Sequence, residues 1–175
     1  MDLIIRRPRR KDLLMLRSFL EMTMRHSFKI NGIVNAETEL FKAIQSKYQD
    51  LLEDVQSDGE KHFHLLAMRG DVLVGCMGYG APNELIRKYM AISSEEHVEL
   101  KSAYVHPWYK RQGIGVTLLR ELVKQLQGRG WGEMYLDCGY GLSQPFWEKQ
   151  FGPASKTLLD HWGPGEHHMI WKVLL

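Results

Sequence analysis

Cysteine is scarce in this sequence: its 175 residues contain only Cys76 and Cys138. Two cysteines so far apart form neither a disulfide framework nor the spacing of zinc ligands. The eight histidines are not accompanied by carboxylates or cysteines at metal-ligand spacing either. We therefore expect a protein of the reducing cytoplasm that holds no metal.

An excess of one charge and a long apolar run are missing as well. The 23 basic and 21 acidic residues leave a net charge of +2, which is too small to predict a nucleic-acid or membrane-surface partner. No apolar run approaches the ~18 residues of a membrane span. The first residues, MDLIIRRPRRKD, lack the apolar core of a signal peptide. We expect no nucleic acid, no membrane and a cytoplasmic location.

What the sequence does contain is a succession of strand-like and helix-like segments without repeats, low-complexity tracts or linkers. At this length we expect one domain over residues 1–175; the oligomeric state stays open, a homodimer included. Apolar periodicity predicts the elements. The predicted strands are 3–5, 62–68, 72–80, 97–105, 133–138, 156–161 and 168–174, and the predicted helices are 12–26, 36–56, the segment after Gly115 and 144–150, with a loop at 29–35 and a mixed connection at 81–96.

The order of these elements predicts the fold class. Consecutive strands, such as those joined by Arg69-Gly70-Asp71, indicate antiparallel hairpins. The strand–helix–strand unit over 97–138 indicates one parallel pair with a right-handed crossover. We expect an α/β (α+β) protein with a mixed, mostly antiparallel sheet of six to seven strands and helices on both faces.

The stretch YVHPWYKRQGIGVTLL, residues 104–119, places a basic, glycine-bearing loop at the start of a helix. A helix begins with unsatisfied N–H groups and a partial positive charge, and glycines let several of them converge on an anion. The pattern therefore predicts a phosphate or pyrophosphate site. The alternative is a helix start that uses glycine only for close packing.

Two better-known phosphate motifs do not fit this loop. A dinucleotide-binding fingerprint needs a third glycine at position 118, which is Leu118. A P-loop needs Gly-Lys-Ser/Thr after the loop, where the chain has Val116-Thr117.

The segment YVHPWYKRQGIG resembles the signature of the GNAT-type N-acetyltransferases: a strand, Val-x-Pro, and a basic-x-x-Gly-x-Gly loop that opens a helix. Lys110 stands at the basic position and Gly113 and Gly115 at the glycines. The predicted element order is also that of this fold, so the resemblance covers nearly the whole chain. It implies that the loop holds the pyrophosphate of acetyl-CoA and that pantetheine lies between two splayed strands. The residues so implied to bind acetyl-CoA are Ala103, Tyr104, Val105, Lys110, Arg111, Gln112, Gly113, Ile114, Gly115 and Val116.

The acceptor amine needs a base. An alkylammonium has a pKa of about 10.4, so its deprotonation near neutral pH costs roughly 4–5 kcal/mol, and a carboxylate acting directly or through water is the usual remedy. Glu99 shares the strand parity of Ala103 and Val105, which predicts the same sheet face. In part of the family a glutamate at this position is the general base. The alternative is a surface glutamate paired with Lys101.

The proton donor to the departing thiol is harder to predict. Residues 146–152, FWEKQFG, resemble a family segment whose tyrosine is replaced here by Trp147, and indole donates no proton at useful pH. Tyr140 is the candidate acid, with a buried structural tyrosine as the alternative. A covalent acetyl intermediate on Cys138 is conceivable, but no histidine partner is evident and we expect a buried thiol.

Residues 28–35 and 81–96 would shape the acceptor pocket in this family, with His26, Phe28 and Tyr89 as candidate lining residues. The expected function is transfer of an acetyl group from acetyl-CoA to a primary amine of a small molecule or peptide, by direct attack in a ternary complex. The alternative is a CoA- or acyl-CoA-binding module without catalysis, which the loss of the usual tyrosine favours.

Overall fold

The computed structural model describes residues 2–175, which form strands and helices around one mixed sheet. The strands are β1 Leu3–Arg6, β2 Phe63–Arg69, β3 Val72–Gly80, β4 Glu99–Val105, β5 Glu133–Cys138, β6 Lys156–Gly163 and β7 Glu166–Leu174. The helices are α1 Leu13–Ile30, α2 Glu37–Ser57, α3 Glu84–Met90, α4 Ile114–Gly128 and α5 Gln144–Phe151, with short 3₁₀ turns at Arg10–Asp12 and Pro107–Tyr109.

The strands lie in the order β1-β2-β3-β4-β5-β7-β6. The pair β4–β5 is parallel, and each other neighbouring pair is antiparallel. The expected mixed, mostly antiparallel sheet with helices on both faces is therefore confirmed. Helix α4 makes the crossover between the two parallel strands, as the strand–helix–strand pattern predicts.

Helices cover the two faces of the sheet with separate apolar cores. On one face, the leucines of α4 at positions 118, 122 and 126 are fully buried against β2, β3 and β4, because their spacing of four keeps them on one side of the helix. On the other face, Leu16 and Leu20 of α1 pack with α2 over Leu66 and Cys76 of the sheet.

Helix α1 is longer than its apolar pattern predicts. It continues through Lys29 to Ile30, and the turn comes only at Gly32, which has a φ of 69°. Nothing before that glycine interrupts the helix, so Phe28 lies in the last helical turns of α1 rather than in a loop.

Strands β4 and β5 separate soon after they meet. Their only ladder pair among the described residues is Glu99 with Tyr135, next to a hydrogen bond of 2.8 Å from the Tyr135 N–H to the Val98 carbonyl. Farther along, β4 pairs with β3 and β5 with β7. A gap therefore opens in the middle of the sheet towards the C-terminal ends of both strands, as the family resemblance implies.

A β-bulge interrupts β4 at Ser102. Lys101 faces Gly78 of β3 and Tyr104 faces Cys76, so two residues of β4 oppose one of β3. Ser102 takes the left-handed conformation, with a φ of 56°. Such a bulge reverses the alternation of side chains beyond it.

The bulge places Glu99 on the opposite sheet face from Ala103 and Val105. Ala103 and Val105 pack against the core on the α4 face, whereas Tyr104 packs against the core under α1 and α2. Glu99 precedes the bulge and lies opposite Gly80, on the face of α1 and α2. The prediction that Glu99 shares a face with Ala103 and Val105 is wrong, because strand parity does not carry across a bulge.

Candidate active site

The loop before α4 presents a row of unused backbone donors. Arg111 and Gly113 have positive φ values of 61° and 78°, which turn the chain sharply into the first helical residue, Ile114. None of the N–H groups of residues 111–116 donates to a backbone or side-chain acceptor within the described part of the chain. Convergent free N–H groups at a helix start form a site for an anion.

Side chains from the β2–β3 hairpin hold this loop in place. The Nη1 of Arg69 donates a 2.6 Å hydrogen bond to Oε1 of Gln112, and its guanidinium lies 5.6 Å from the ring centre of Tyr109. The Nε2 of Gln112 donates to the Trp108 carbonyl at 3.4 Å. The Gln112 side chain is thus turned towards the end of β2 and the Trp108 carbonyl, and it does not line the cavity.

A cavity of about 620 Å³ extends from this loop into the gap beside β4. It is bounded by the C-terminal half of β4, the start of α4, the start of α5 and one side of α1. Of the residues predicted from the sequence, it is lined by His26, Ala103, Tyr104, Val105, Lys110, Arg111, Gly113, Ile114, Gly115 and Val116.

The cavity wall also contains residues that the sequence did not single out. From α1 it includes Thr23 and Ser27. Thr23 lies three residues before His26 and four before Ser27, which places all three on one side of the helix. From α5 it includes Phe146 and Lys149. The helical spacing around His26 is the signal that would have identified the α1 residues.

The charge in the cavity is positive. Lys110, Arg111 and Lys149 all line it. Burial lowers the pKa of His26, and the charges of Lys110 and Lys29 lower it further, which favours a neutral imidazole. Cationic side chains beside free N–H groups suit a phosphorylated ligand.

Gly115 lies where the start of α4 faces Val105 of β4 and Phe146 of α5. A Cβ at this position would be 3.7 Å from Cγ2 of Val105 and 3.6 Å from Cζ of Phe146, which is ordinary van der Waals contact. An alanine methyl group here would therefore occupy space between these two residues without a clash.

Glu99 is buried, with 4% of its surface exposed. Its Oε2 accepts a 2.7 Å hydrogen bond from the Asn83 backbone N–H and lies 3.6 Å from Nζ of Lys101. Its Oε1 lies 3.2 Å from Nδ2 of Asn83. Burial raises the pKa of Glu99; Lys101 opposes this effect and the nearby Asp137 adds to it.

A polar chain continues from Asn83 across the same sheet face. The Nδ2 of Asn83 donates to Oδ2 of Asp137 at 2.8 Å. The same oxygen lies 3.1 Å from Nε2 of His168, with the N–H not aligned on it. Nδ1 of His168 accepts a 3.1 Å hydrogen bond from the indole N–H of Trp162. No sequence pattern pointed to this group of residues.

The family model described as "Acetyltransferase (GNAT) family" matches residues 30–152, which include β4, the loop and α4. The chain belongs to the GNAT acetyltransferase family. The family transfers an acyl group from CoA, which accounts for a cavity that begins at a phosphate-type loop. A comparison with curated protein sequences gives no match.

Solved GNAT structures share the fold at low sequence identity. PaiA N-acetyltransferase from Thermoplasma acidophilum, in complex with coenzyme A, is 19% identical with a TM-score of 0.70, covering 99% of this chain and 100% of that one. The ribosomal-protein-alanine N-acetyltransferase from Brucella melitensis is 23% identical with a TM-score of 0.68, covering 98% and 99%. A GNAT acetyltransferase from Brucella melitensis in complex with acetyl-CoA is 18% identical with a TM-score of 0.56, covering 83% and 81%.

Several residues predicted for the GNAT site do not line the cavity. Glu99 is outside the cavity wall and is hydrogen-bonded to Asn83. Tyr89 of α3 also lies outside it and packs edge-on to His161, with ring centres 6.4 Å apart. Phe28 and Tyr140 lie together, their ring centres separated by 6.3 Å, beside but not in the cavity wall. Burial raises the pKa of Tyr140, so its phenol is protonated near neutral pH.

Both thiols of this GNAT chain are free and buried. Burial raises the pKa of Cys138 to about 11, and it raises the pKa of Cys76 as well. Near neutral pH a thiol with such a pKa is almost entirely protonated and is a weak nucleophile.

Neither a metal-binding cluster nor a membrane-spanning helix is found over residues 2–175. No three His, Cys, Asp or Glu side chains there come together as metal ligands. No helix in that part of the chain combines the length and apolarity needed to cross a bilayer.

Proposed function

We propose that this protein transfers an acetyl group from acetyl-CoA to a primary amine of a small molecule or peptide, by direct attack in a ternary complex in the cytoplasm. The observation that carries the proposal is the row of free N–H groups over residues 111–116, which opens into the cavity beside the gap between β4 and β5.

The binding site for acetyl-CoA, the acetyl donor, is assigned to the loop before α4 and to β4. The N–H groups of residues 111–116 would hold the pyrophosphate, with Lys110, Arg111 and Lys149 adding charge. Ala103 and Val105, beyond the bulge, would hold the pantetheine arm through their backbone. When bound, acetyl-CoA supplies the thioester that makes the acetyl carbon electrophilic.

On the acceptor side, Glu99 is the proposed base. Its raised pKa increases its affinity for the ammonium proton, and a base is more effective when its pKa approaches the working pH. Because Glu99 is buried and does not line the cavity, we propose that it takes the proton through water rather than from the amine directly.

Tyr140 is the proposed proton donor to the departing thiolate. Its phenol is protonated near neutral pH because burial raises its pKa. Trp147, which lines the cavity, cannot take this role. A thiol pKa near 8.5 means that the leaving group needs less assistance than the amine.

Direct attack is favoured over an acetyl-cysteine intermediate. Cys138 donates a 3.5 Å hydrogen bond to the Tyr140 carbonyl, and its pKa of about 11 leaves only a very small fraction as thiolate. No base that would activate it contacts the sulfur in the described residues.

The test is a panel of amines assayed for acetyl-CoA-dependent thiol release, with the acetylated product identified by mass. E99Q should lower kcat/KM by about 10²- to 10⁴-fold, the usual contribution of a general base. E39Q removes the same charge from an exposed position of α2 and should leave the rate unchanged. Full activity of E99Q would remove Glu99 from the mechanism.

A CoA-binding module without catalysis is the second candidate, because Trp147 stands where relatives carry a tyrosine. The same panel separates the two. CoA binding by calorimetry together with no thiol release from any amine would favour the binding module.

A further inference from the structure

Asn83 lies between two carboxylates that belong to different strands. It immediately precedes α3, and its Nδ2 is 3.2 Å from Oε1 of Glu99 on β4 and 2.8 Å from Oδ2 of Asp137 on β5. Within residues 2–175 these strands form a single parallel ladder pair, Glu99 with Tyr135. Asn83 therefore joins them on the α3 side of the point where they begin to separate.

The orientation of the Asn83 amide is fixed by the helix that it caps. Its Oδ1 accepts a 2.9 Å hydrogen bond from the backbone N–H of Ile86, an N-cap interaction. The NH₂ group must then point the other way, and its two hydrogens face the two carboxylates. The backbone N–H of Asn83 gives Glu99 a further donor at 2.7 Å.

The Asn83 side chain, which bridges Glu99 and Asp137, lies among charged groups that affect the ionisation of Glu99. Lys101 on the same strand and Lys47 on α2 favour its ionised form, whereas Asp137 on β5 opposes it. Beyond Asp137 lies His168 on β7. The Asn83 amide donates to both carboxylates, so it offsets part of the repulsion between them in a buried setting.

We propose that Asn83 is a positioning residue of the acetyl-transfer site, holding the Glu99 carboxylate in one orientation and in its ionised form. This role rests on the proposed function of Glu99 as the base that takes the amine proton through water.

Two substitutions keep the helix cap and remove the bridge. N83D and N83S both retain a side-chain oxygen for the Ile86 N–H, since Asp and Ser are good N-cap residues. Neither offers an NH₂ group to Glu99 and Asp137. E39Q, at an exposed position of α2, is the control for a change of one charge outside the site.

The expected result is a slower enzyme with a displaced pH profile. Loss of a donor to the ionised carboxylate favours its protonated form, so the acid limb of the kcat/KM profile should move to higher pH in both variants. The move should be larger in N83D, which adds a third carboxylate. We expect kcat/KM to fall by about tenfold, the equivalent of one charge-assisted hydrogen bond, with E39Q unchanged.

A second readout does not depend on turnover. In protein labelled with ¹³C at the glutamate side-chain carboxyls, the Glu99 signal is the one that E99Q removes. Its titration midpoint should be higher in N83D and N83S than in the wild type. An unmoved midpoint and an unmoved acid limb would overturn the role of Asn83 and leave it as a helix cap alone. Absent turnover of the wild type with every amine would overturn the proposed function instead, and the carboxyl titration would still decide whether Asn83 holds Glu99.

Discussion

Replacing Gly115 by alanine should stabilise the unliganded protein and weaken its binding of CoA. Gly115 is the second residue of α4, and glycine in a helix is less stable than alanine by roughly 0.5–1 kcal/mol. The new Cβ would meet Val105 and Phe146 at 3.6 Å or more, so no clash offsets this gain. For a chain of this length, the midpoint of thermal unfolding should rise by about 1–4 °C.

The same methyl group should weaken CoA binding because Gly115 lines the cavity. Inserting a methyl group into a well-packed site costs roughly 1–3 kcal/mol. That range corresponds to a Kd for CoA raised by about 5- to 150-fold. Calorimetric titration with CoA and thermal unfolding without ligand measure the two effects separately.

G128A is the matched control for this pair of effects. Gly128 ends the same helix, and a Cβ there would meet no heavy atom within 4 Å. It should therefore leave the Kd for CoA unchanged. A wild-type Kd in G115A would refute the placement of the ligand beside Gly115, and a lower unfolding midpoint would refute the packing argument.

Three further substitutions test other parts of the account. C138S should keep kcat within about twofold, because a buried thiol that is not ionised takes no part in direct attack; a loss of kcat beyond tenfold in the steady-state assay would contradict this. R69M should raise the Kd for CoA by about 3- to 10-fold, because Gln112 loses its 2.6 Å donor. An unchanged calorimetric Kd would show that the loop before α4 keeps its conformation without Arg69. D12N should lower the free energy of unfolding by about 1–2 kcal/mol near neutral pH, since Arg6 holds the pKa of Asp12 below its usual value. That stabilisation is present above about pH 4 and is lost as the pH falls through the lowered folded-state pKa of Asp12. The difference in free energy of unfolding between the wild type and D12N, measured in urea, should therefore shrink at about pH 3. A difference that does not change with pH would contradict this.

Much of the fold followed from local patterns. The succession of strands and helices, the parallel unit around α4 and the phosphate-type loop are each encoded in a few consecutive residues. The left-handed Gly113 and the unsatisfied N–H groups of the first helical turn depend on residues adjacent in sequence. Such features can be predicted without knowledge of the tertiary structure.

The face of Glu99 could not be predicted in this way. The apolar–polar alternation of β4 holds from Val98 to Lys101 and stops at Ser102, but the sequence does not say which residue of β3 each position faces. The bulge at Ser102 is defined by how β4 pairs with Gly78 and Cys76 of β3.

The contacts of Asn83 with Glu99 and Asp137 could not be predicted from the sequence for a similar reason. Asn83 is 16 residues from Glu99 and 54 from Asp137, and its contacts form only when three elements meet. The seven-residue helix that it caps is too short to show a clear apolar period.

The central claim is that the free N–H groups at the start of α4 hold the pyrophosphate of CoA. Calorimetric titration of the wild type, G113D and G130D with CoA tests it most directly. Gly113 and Gly130 have similar φ values, 78° and 84°, and a Cβ at either meets open space, so both variants carry the same charge change and similar backbone strain. A carboxylate about 4 Å from a phosphate opposes binding by roughly 1–4 kcal/mol. The Kd for CoA should therefore rise by about fivefold or more in G113D and stay at the wild-type value in G130D, whereas equal affinities in all three proteins would contradict the claim.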